Sequence, residues 1–496
     1  LLCYLLVLVG LAGYGFHRLS IVYLYWKNRN NKPQPKARFQ ELPVVTVQLP
    51  MFNEKFVVDR LLESVAALDY PQDRLEIQIL DDSTDDTTEQ CYRKVEELKS
   101  RGFDAVCIHR TDRTGFKAGA LEAATKVAKG EFLLILDADF VPEPDLLQKT
   151  IHFFTDENVG LVQTRWGHIN REYNLLTRIQ GMYLDGHFAM EQTARNRSGR
   201  FFTFNGTAGI WRKYVIGDAG GWSHDTLTED MDLSYRVQLK GWRFIYLNDV
   251  VTPAELPVDM DGFKSQQHRW TKGSIQVCQK ILLDIWRSNA PLKAKVEATT
   301  HLTCNYSYLL LALLCFLVYP ICTQRIPENE TVFMWFVNVA LFFMTSVAVC
   351  IFYMSAQIVV RPKSWWKELP YLPLLLTLSV GMAVNNAKAV LEAIFGHQSA
   401  FVRTPKYGVD RKEDRRHVSQ LKRNGYRAIK SVVIPVLEIA CGTFFLNLII
   451  IMIRQGHYLS PILMIPFLGF YYTGFCSLGR MISNLLPAKQ TAKAKN

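Results

Sequence analysis

Short apolar runs alternate with amphipathic stretches over residues 40–297. The apolar runs at 44–49, 76–80, 106–109 and 132–136 predict strands, and the stretches at 54–68, 87–101 and 117–129 predict helices between them. Strands that alternate with helices form a mostly parallel sheet covered on both faces. We therefore predict an α/β domain that binds its ligands beyond the carboxyl ends of the strands.

Much longer apolar runs flank this domain. A helix needs about 20 apolar residues to cross a bilayer. The runs that are long enough are 1–26, 303–323, 332–357, 431–454 and 459–480. A signal peptide is the alternative for the first run, but no small-residue cleavage site precedes the basic residues that follow it. We predict five spanning helices, one before the domain and two pairs after it.

A sixth apolar run, 370–395, is interrupted by two prolines, two asparagines and a lysine. The positions of the basic loops decide how it is read, because cytoplasmic loops of membrane proteins are rich in Lys and Arg. Residues 401–430 hold ten Lys or Arg against three Asp or Glu, and the loop before the run contains Arg361, Lys363 and Lys367. Both segments and the basic tail 481–496 are cytosolic only if 370–395 does not span. We therefore predict an interfacial or re-entrant helix there, within a cytosolic segment 370–430.

The net charge of +11 raises the alternative of a nucleic-acid partner. The basic residues cluster beside apolar runs and no nucleic-acid-binding motif accompanies them, so we predict no such partner. The ten cysteines show no C-x-x-C spacing. Neither a zinc site nor a disulfide framework is indicated.

Two acidic clusters follow predicted strands. Asp137 and Asp139 come after the most apolar run, where paired carboxylates can bind Mg²⁺ or Mn²⁺; the alternative is a solvated turn or helix cap. Asp81 begins an Asp- and Ser-rich stretch, where it can accept hydrogen bonds from a nucleobase or ribose; the alternative is a turn that caps the next helix. Lys117 lies near two glycines that permit close backbone approach, so it is a candidate nucleotide contact or a surface lysine.

The run Thr228-Glu229-Asp230 offers a general base. A hydroxyl that attacks a sugar's anomeric carbon loses its proton as the bond forms, and a carboxylate such as Asp230 can accept it. The alternative for any of these acids is a carboxylate that stabilises a helix N-terminus. Further on, Gln266, Arg269 and Trp270 combine an amide, a fixed cation and an aromatic face on which a sugar can stack. Their alternative is packing at the start of a membrane-surface helix.

Taken in order, these motifs match a known series. Asp81, residues 137–139, residues 228–230, and Gln266 with Arg269 and Trp270 resemble the motifs of the processive, inverting family 2 glycosyltransferases of the cellulose-synthase type. The stretches 204–209, 220–222 and 229–233 are similar to the cellulose-synthase-like mannan and glucan synthases. The resemblance covers residues from about 40 to about 480.

This resemblance implies an A-type nucleotide-sugar-binding domain and a role for each matched residue. Asp81 and Lys117 would face the nucleotide, Gln266 and Arg269 the diphosphate, and Asp137 and Asp139 the diphosphate and its Mg²⁺ or Mn²⁺. Asp230 would be the catalytic base, and Glu229, Asn205 and Trp270 would contact the acceptor. Phe401, Thr404 and Lys406 would belong to a gating loop, in which Arg403 replaces the family's Val.

We therefore expect an integral membrane, multi-pass β-glycan synthase with a cytosolic catalytic domain. It would add hexoses with inversion and pass the polysaccharide across the bilayer. The motifs fit UDP-glucose and GDP-mannose alike, and we take UDP-glucose first without a residue that separates them. One alternative is a non-processive glycosyltransferase that acts on a membrane lipid and shares every soluble motif. Another is a membrane scaffold or transporter, which has no need of carboxylates at three separate sites.

Overall fold

The computed structural model describes residues 2–323, 340–341, 343–398, 404, 406–409, 432–455 and 461–485. Phe401, the first part of the expected span 332–357 and most of the expected basic segment and tail lie outside these residues. Within them, one sheet contains β1 Val45–Met51, β2 Leu75–Asp81, β3 Asp104–His109, β4 Phe132–Ile135, β5 Val159–His168, β6 Gly209–Arg212 and β7 Arg243–Ala254.

The strand order is β3-β2-β1-β4-β6-β5-β7. The pairs β1–β2, β1–β4, β2–β3 and β5–β7 are parallel, and β6 is antiparallel to both of its neighbours. The prediction of a mostly parallel sheet is thus confirmed. One large apolar core lies on each face, around Val47, Ile77 and Leu134 on one side and around Leu133, Trp211 and Tyr246 on the other.

The helices associated with the sheet begin and end as follows. They are α2 Val58–Ala66, α3 Thr87–Ser100, α4 Phe116–Val127, α5 Leu146–Thr150, α6 Leu175–Asp185, α7 Thr193–Arg197, α8 Lys213–Asp218 and α9 Glu229–Leu239. A π-helical turn, Gly186–Gln192, joins α6 to α7. The first of these helices is shorter than the predicted 54–68 because residues 55–57 form a turn, in which the Val57 amide donates a hydrogen bond to the Glu54 carbonyl, before the helix begins.

The remaining helices are mostly apolar or border apolar ones. They are α1 Leu2–Asn28, α10 Met260–Arg287, α11 Leu292–Thr303, α12 Tyr306–Thr323, α13 Ala348–Val360, α14 Leu372–Gly381, α15 Ala383–Ile394, α16 Val433–Arg454 and α17 Pro461–Leu485. By length and composition, α1 and α16 could each cross a membrane. Two bent pairs, α11 with α12 and Trp365–Gly381 with α15, raise the number of candidate spans in the described part to four if each pair is one span.

The run 370–395 is a pair of helices that meet at 41° rather than one straight rod. Its first half, α14, packs tightly on α17, where a Cβ on Gly381 would lie 2.4 Å from the carbonyl oxygen of Gly469. Its second half, α15, packs on α10 and α12. The position of this pair relative to a bilayer stays a prediction.

Candidate active site

A cavity opens where the carboxyl ends of the strands meet α10. Its walls include Asp82, Lys117, Asp137, Asp139, Asn205, Glu229, Asp230, Glu255, Gln266, Arg269, Trp270, Thr404 and Lys406. Tertiary folding therefore brings together residues that are up to about 320 positions apart in sequence, a separation taken from Asp82 and Lys406. Among the predicted site residues that the structure describes, Asp81 alone does not line this cavity.

The antiparallel strand β6 delivers the loop 204–208 to this edge. Ile135, the last residue of β4, pairs with Gly209, the first residue of β6. The loop before β6 therefore reaches the same edge as the residues after β4. The Asp137 amide donates a hydrogen bond of 2.8 Å to the Thr207 hydroxyl, which joins the two segments.

Lys117 lies between the two loops. Its ammonium donates to the Asp137 carboxylate and, at 2.8 Å, to the Gly206 carbonyl. Gly206 has a φ of +79°, and a Cβ there would lie 3.1 Å from the Asp230 carboxylate. Only a residue without a side chain lets this loop approach Asp230 so closely.

Asp230 lies in the first turn of α9 beside Glu229. Burial and the neighbouring negative charge of Glu229 raise the pKa of the Asp230 carboxyl to about 7, although Lys117 opposes the shift. The Met231 amide donates to one carboxylate oxygen at 2.8 Å. A partly buried carboxyl with a pKa near neutral is suited to take up and release a proton.

The helix α10 positions Arg269 and Trp270 against this acid. A Cβ on Gly273 would lie 2.5 Å from the Thr228 side chain, so the backbone of α10 rests directly on the Thr228–Asp230 segment. Burial lowers the pKa of Arg269, and the charges of Glu229, Asp137 and Asp230 oppose this. Three nearby carboxylates thus favour the charged form of the guanidinium.

Asp139 forms an ion pair with Lys406, a residue from the carboxyl-terminal part of the chain. Lys406 donates to the Asp139 carboxylate at 2.7 Å and to the Glu255 carbonyl at 2.8 Å. The Glu255 carboxylate in turn accepts the amides of Tyr407 and Gly408, each at 2.9 Å, and of Val409 at 3.2 Å. We call residues 404 and 406–409 the strap. Glu255 anchors the strap to the end of β7.

Asp137 and Asp139 are the residues predicted from the sequence to bind a divalent cation. In the described residues no group of three or more His, Cys, Asp or Glu could hold a metal by itself. Mg²⁺ and Mn²⁺ do not need such a cage, because they bind through one or two carboxylates and complete their shell with phosphate oxygens and water. Two carboxylates at one cavity wall, each already facing an ammonium group, fit a cation that arrives with a diphosphate.

At the nucleotide side, the structure separates Asp81 from Asp82. Asp81 is fully buried and accepts hydrogen bonds from the Ser83 amide, from Thr88 and from His109. Its neighbour Asp82 lines the cavity and forms a bidentate pair with Arg110, at 2.6 and 2.8 Å. Asp81 is the residue expected to face the nucleotide. In the structure its carboxylate accepts hydrogen bonds that organise the turn after β2.

A second cavity continues from the first towards the apolar helices. The two share Trp166, Leu184, Asn205, Asp230 and Trp270, and the second also reaches Arg18 on α1 and Tyr353 on α13. Asn205 stands at the junction. Its Oδ1 accepts from Gln192 at 2.8 Å, whereas its Nδ2 is buried and has no hydrogen-bond partner in the described part of the chain.

Three wall residues escaped the sequence analysis. Asp82 lies in the acidic stretch that begins at Asp81 but received no role of its own, Glu255 belongs to no motif quoted above, and His187 lies on the π-helical turn beside Asn205, in the wall of the second cavity. Burial lowers the pKa of His187 to about 3, so it is neutral at physiological pH. Only the acid after the last apolar strand, Glu255, had a local signal comparable to that of Asp137.

The chain is similar in sequence to known glycosyltransferases. Residues 43–273 match the family model described as glycosyltransferase like family 2. The chain is 42% identical over 286 residues to glucomannan 4-beta-mannosyltransferase 2 of Arabidopsis thaliana, covering 54% of this chain and 53% of that protein. It is 41% identical over 277 residues to glucomannan 4-beta-mannosyltransferase 1 of Oryza sativa subsp. japonica, covering 55% and 53%. The matches thus span about half the length of these relatives.

A solved structure shows the same fold. The mannosyltransferase PcManGT from Pyrobaculum calidifontis, in complex with GDP-Man and Mn²⁺, matches with a TM-score of 0.54 and 19% identity, covering 80% of this chain and 100% of that one. At this identity the likeness concerns the fold alone. The chain is thus similar to family 2 glycosyltransferases over residues 43–273 and to two plant glucomannan 4-beta-mannosyltransferases over about half of its length.

Proposed function

We propose that this protein is a membrane-integral synthase that transfers hexoses from a nucleotide sugar to a growing β-glycan. The observation that carries the proposal is the placement of Asp230 and Trp270 at the junction of two cavities, with Arg269 in the wall of the first. One cavity lies at the strand ends, where α/β sheets bind nucleotides. The other runs towards apolar helices and offers a path for an elongating acceptor.

The donor we propose is GDP-mannose, with UDP-glucose second. This reverses the order taken from the motifs alone. It is supported by the printed names of the two plant relatives, which are mannosyltransferases. The cavity wall includes Asp82, which accepts two hydrogen bonds from Arg110, and Arg113, whose guanidinium lies 3.3 Å from the centroid of the Phe52 ring. These groups offer charge and a flat face to a nucleobase.

The reaction we propose is a single displacement at the anomeric carbon. The acceptor hydroxyl attacks from the side opposite the diphosphate, its proton passes to Asp230, and the bond to the phosphate oxygen breaks as the new glycosidic bond forms. Arg269 and Lys117 hold the departing diphosphate by charge, and Trp270 stacks on the acceptor's terminal sugar. Asp137 and Asp139 would hold Mg²⁺ or Mn²⁺, which would supply positive charge to the diphosphate.

Membrane integration is supported by exposed apolar side chains. On α1, Leu2, Leu6, Val9 and Phe16 are 59–71% exposed. A soluble protein rarely exposes so large a contiguous apolar surface. We propose that α1, α12, α13, α16 and α17 lie in the bilayer, that α1 and α13 contribute Arg18 and Tyr353 to the second cavity, and that the sheet domain is on the cytosolic side.

Replacement of Asp230 by Asn tests the proposal. The amide keeps the shape but cannot accept the hydroxyl proton, so transfer from labelled GDP-mannose in membranes should fall about 10²–10⁴-fold. Asp225→Asn is the matched control, because Asp225 is an exposed acid that pairs with Lys280. Polymer formation by Asp230→Asn at a rate near that of the wild type would show that Asp230 is not the catalytic base.

The size of the product tests processivity. A ladder or insoluble polymer on a gel is expected from the wild-type protein. A single glycolipid spot would instead establish transfer to one membrane lipid. The absence of sugar-nucleotide consumption with either donor would contradict an enzymatic function altogether.

A further inference from the structure

A group of four cationic residues lies near the carboxyl-terminal end of α1, away from the catalytic cavities. Arg29 follows α1, Arg197 ends α7, Arg200 follows it, and Lys293 lies in the first turn of α11. Arg197 and Arg200 line a groove whose other walls include Asn31, Pro33 and Pro291. We call these four residues the cation cluster.

The cation cluster has an excess of positive charge. In the described residues none of the four forms an ion pair, whereas the neighbouring Lys32 and Arg243 pair with Asp249 and Asp156. Lys293 and Arg200 share one carbonyl acceptor, that of Ser198, at 2.9 and 3.5 Å. A helix end carries only about half a negative charge, which cannot balance four cations.

Arg197 is the most confined member of the cluster. One of its terminal nitrogens donates to the Arg29 carbonyl, and its Nε is buried without a hydrogen-bond partner within the described chain. Burial lowers the pKa of Arg197, and the nearby Tyr25 and Asp249 only partly oppose this. A buried donor without a partner is costly, so an acceptor such as a phosphate oxygen would stabilise it.

Exposed apolar side chains lie near the start of α11, next in sequence to Lys293 of the cluster. Helix α11 runs antiparallel to α1, since Tyr14 contacts the Thr303 carbonyl and His17 contacts Glu297. The start of α11 therefore lies level with the inner end of a membrane-length helix. Here Trp286, Leu292 and Val296 are 44%, 67% and 50% exposed. Exposed Trp and Leu beside unpaired cations are typical of a membrane–water interface.

We propose that the cation cluster binds the phosphate headgroup of an anionic phospholipid, whose acyl chains lie along the exposed apolar residues of α11. Soluble phosphate esters share the headgroup chemistry, but they gain nothing from the apolar side chains beside the groove. This site is separate from glycosyl transfer and rests on the proposed membrane position of α1.

The test is native mass spectrometry of the detergent-purified full chain titrated with phosphatidylglycerol. Phosphatidylcholine with the same acyl chains is the uncharged-headgroup control, and glycerol phosphate is the soluble arm. We expect phosphatidylglycerol to bind more tightly than phosphatidylcholine. The double variant Arg197→Gln with Arg200→Gln should weaken this binding about 25-fold, about fivefold for each cation removed.

Two further variants make the result specific. Lys99→Gln with Arg101→Gln removes two cations from α3, which pair with Glu96 and Glu63, and should leave binding unchanged. Arg197→Lys with Arg200→Lys keeps both charges and should retain most of the affinity even if the Gln variant unfolds. Equal phosphatidylglycerol affinity in wild type and the folded Gln variant, or competition by glycerol phosphate at lipid-like concentrations, would overturn the lipid site. Binding is read without donor sugar, so this outcome is independent of the transferase assay.

Discussion

At the residue scale, Asp230 acquires its properties from neighbours that are distant in sequence. Gly206 approaches its carboxylate because it lacks a side chain, and Gly273 lets α10 lie on the same segment. Lys117 supplies a nearby positive charge, and Glu229 a nearby negative one. The balance of these charges with burial, rather than the motif alone, sets the proton affinity of the proposed base.

The pH dependence of transfer should report this balance. Because Asp230 accepts a proton only when ionised and its pKa is raised to about 7, kcat/KM should rise with pH and level off above about 7. Glu229→Gln removes the charge that raises this pKa, so the acidic limb should move to lower pH, whatever happens to the plateau. Asp225→Asn should leave the limb in place. A wild-type profile that stays flat between about pH 5 and pH 8 would contradict the assignment.

At the element scale, the Glu255 carboxylate makes most of the hydrogen bonds that hold the strap to the sheet. Glu255 follows β7 and accepts three successive amides of residues 407–409, while Lys406 contacts Asp139 beside it. Gly408, with a φ of +68°, lets this backbone approach the Phe56 carbonyl, because a Cβ there would lie 2.8 Å from it. Glu255 is thus a positioning residue for the strap, which ends beside the carboxylates proposed to face the diphosphate.

Replacement of Glu255 by Gln should release the strap. The Gln side chain offers one acceptor oxygen in place of two, and its NH₂ group faces backbone N–H donors. The loss of the hydrogen bonds to a charged acceptor should destabilise the attached strap by about 1.5–3 kcal/mol. Amide hydrogen exchange at Tyr407–Val409 should therefore accelerate about tenfold or more, and KM for the donor should rise.

Glu143→Gln is the control for this experiment, since Glu143 is an exposed acid on the loop that follows Asp139. It should change neither the exchange rate nor KM. Exchange in Glu255→Gln that matches the wild-type rate would show that other contacts hold the strap.

At the scale of the whole molecule, two cavities share a wall. The sheet edge supplies the first, and α1, α10, α11 and α13 extend the second away from it. Ser274 lies one helical turn after Trp270 on α10 and lines only the second of the two. It therefore marks a position where the acceptor path can be obstructed without touching the donor side.

Ser274→Trp should shorten the product. A bulky ring in a buried part of the second cavity blocks passage of the chain, so short oligosaccharides should replace polymer on a sizing gel. Release of the nucleoside diphosphate in the first turnovers should stay within about tenfold of wild type, because the binding contacts of Arg269 and Lys117 are retained. Ser100→Trp, at the exposed end of α3, is the matched control. Wild-type polymer length from a folded Ser274→Trp protein would place the acceptor path elsewhere.

Much of this arrangement could be predicted from local patterns. The four strands through residue 136 and the helices between them followed from apolar periodicity, because each pattern reflects burial on a fixed face. Asp137 and Asp139 lie at the carboxyl ends of the strands, as the strand-end argument requires, and the other described residues of the motif series except Asp81 line the same cavity. The inward-facing Asp81 was not predictable in the same way, since the choice between Asp81 and Asp82 depends on contacts with Thr88 and His109.

The sequence by itself determined the α/β class, the order of the motifs, and the position of the membrane-length apolar runs, because these depend on short-range periodicity and run length. Only the tertiary structure decided that β6 runs antiparallel and thereby brings Asn205 to the sheet edge where Asp137 lies. It also decided that Glu255 anchors the strap and that burial raises the pKa of Asp230. These features come from packing and charge between segments that are tens to hundreds of residues apart in sequence. A local sequence pattern does not specify how much solvent such packing removes from a given side chain.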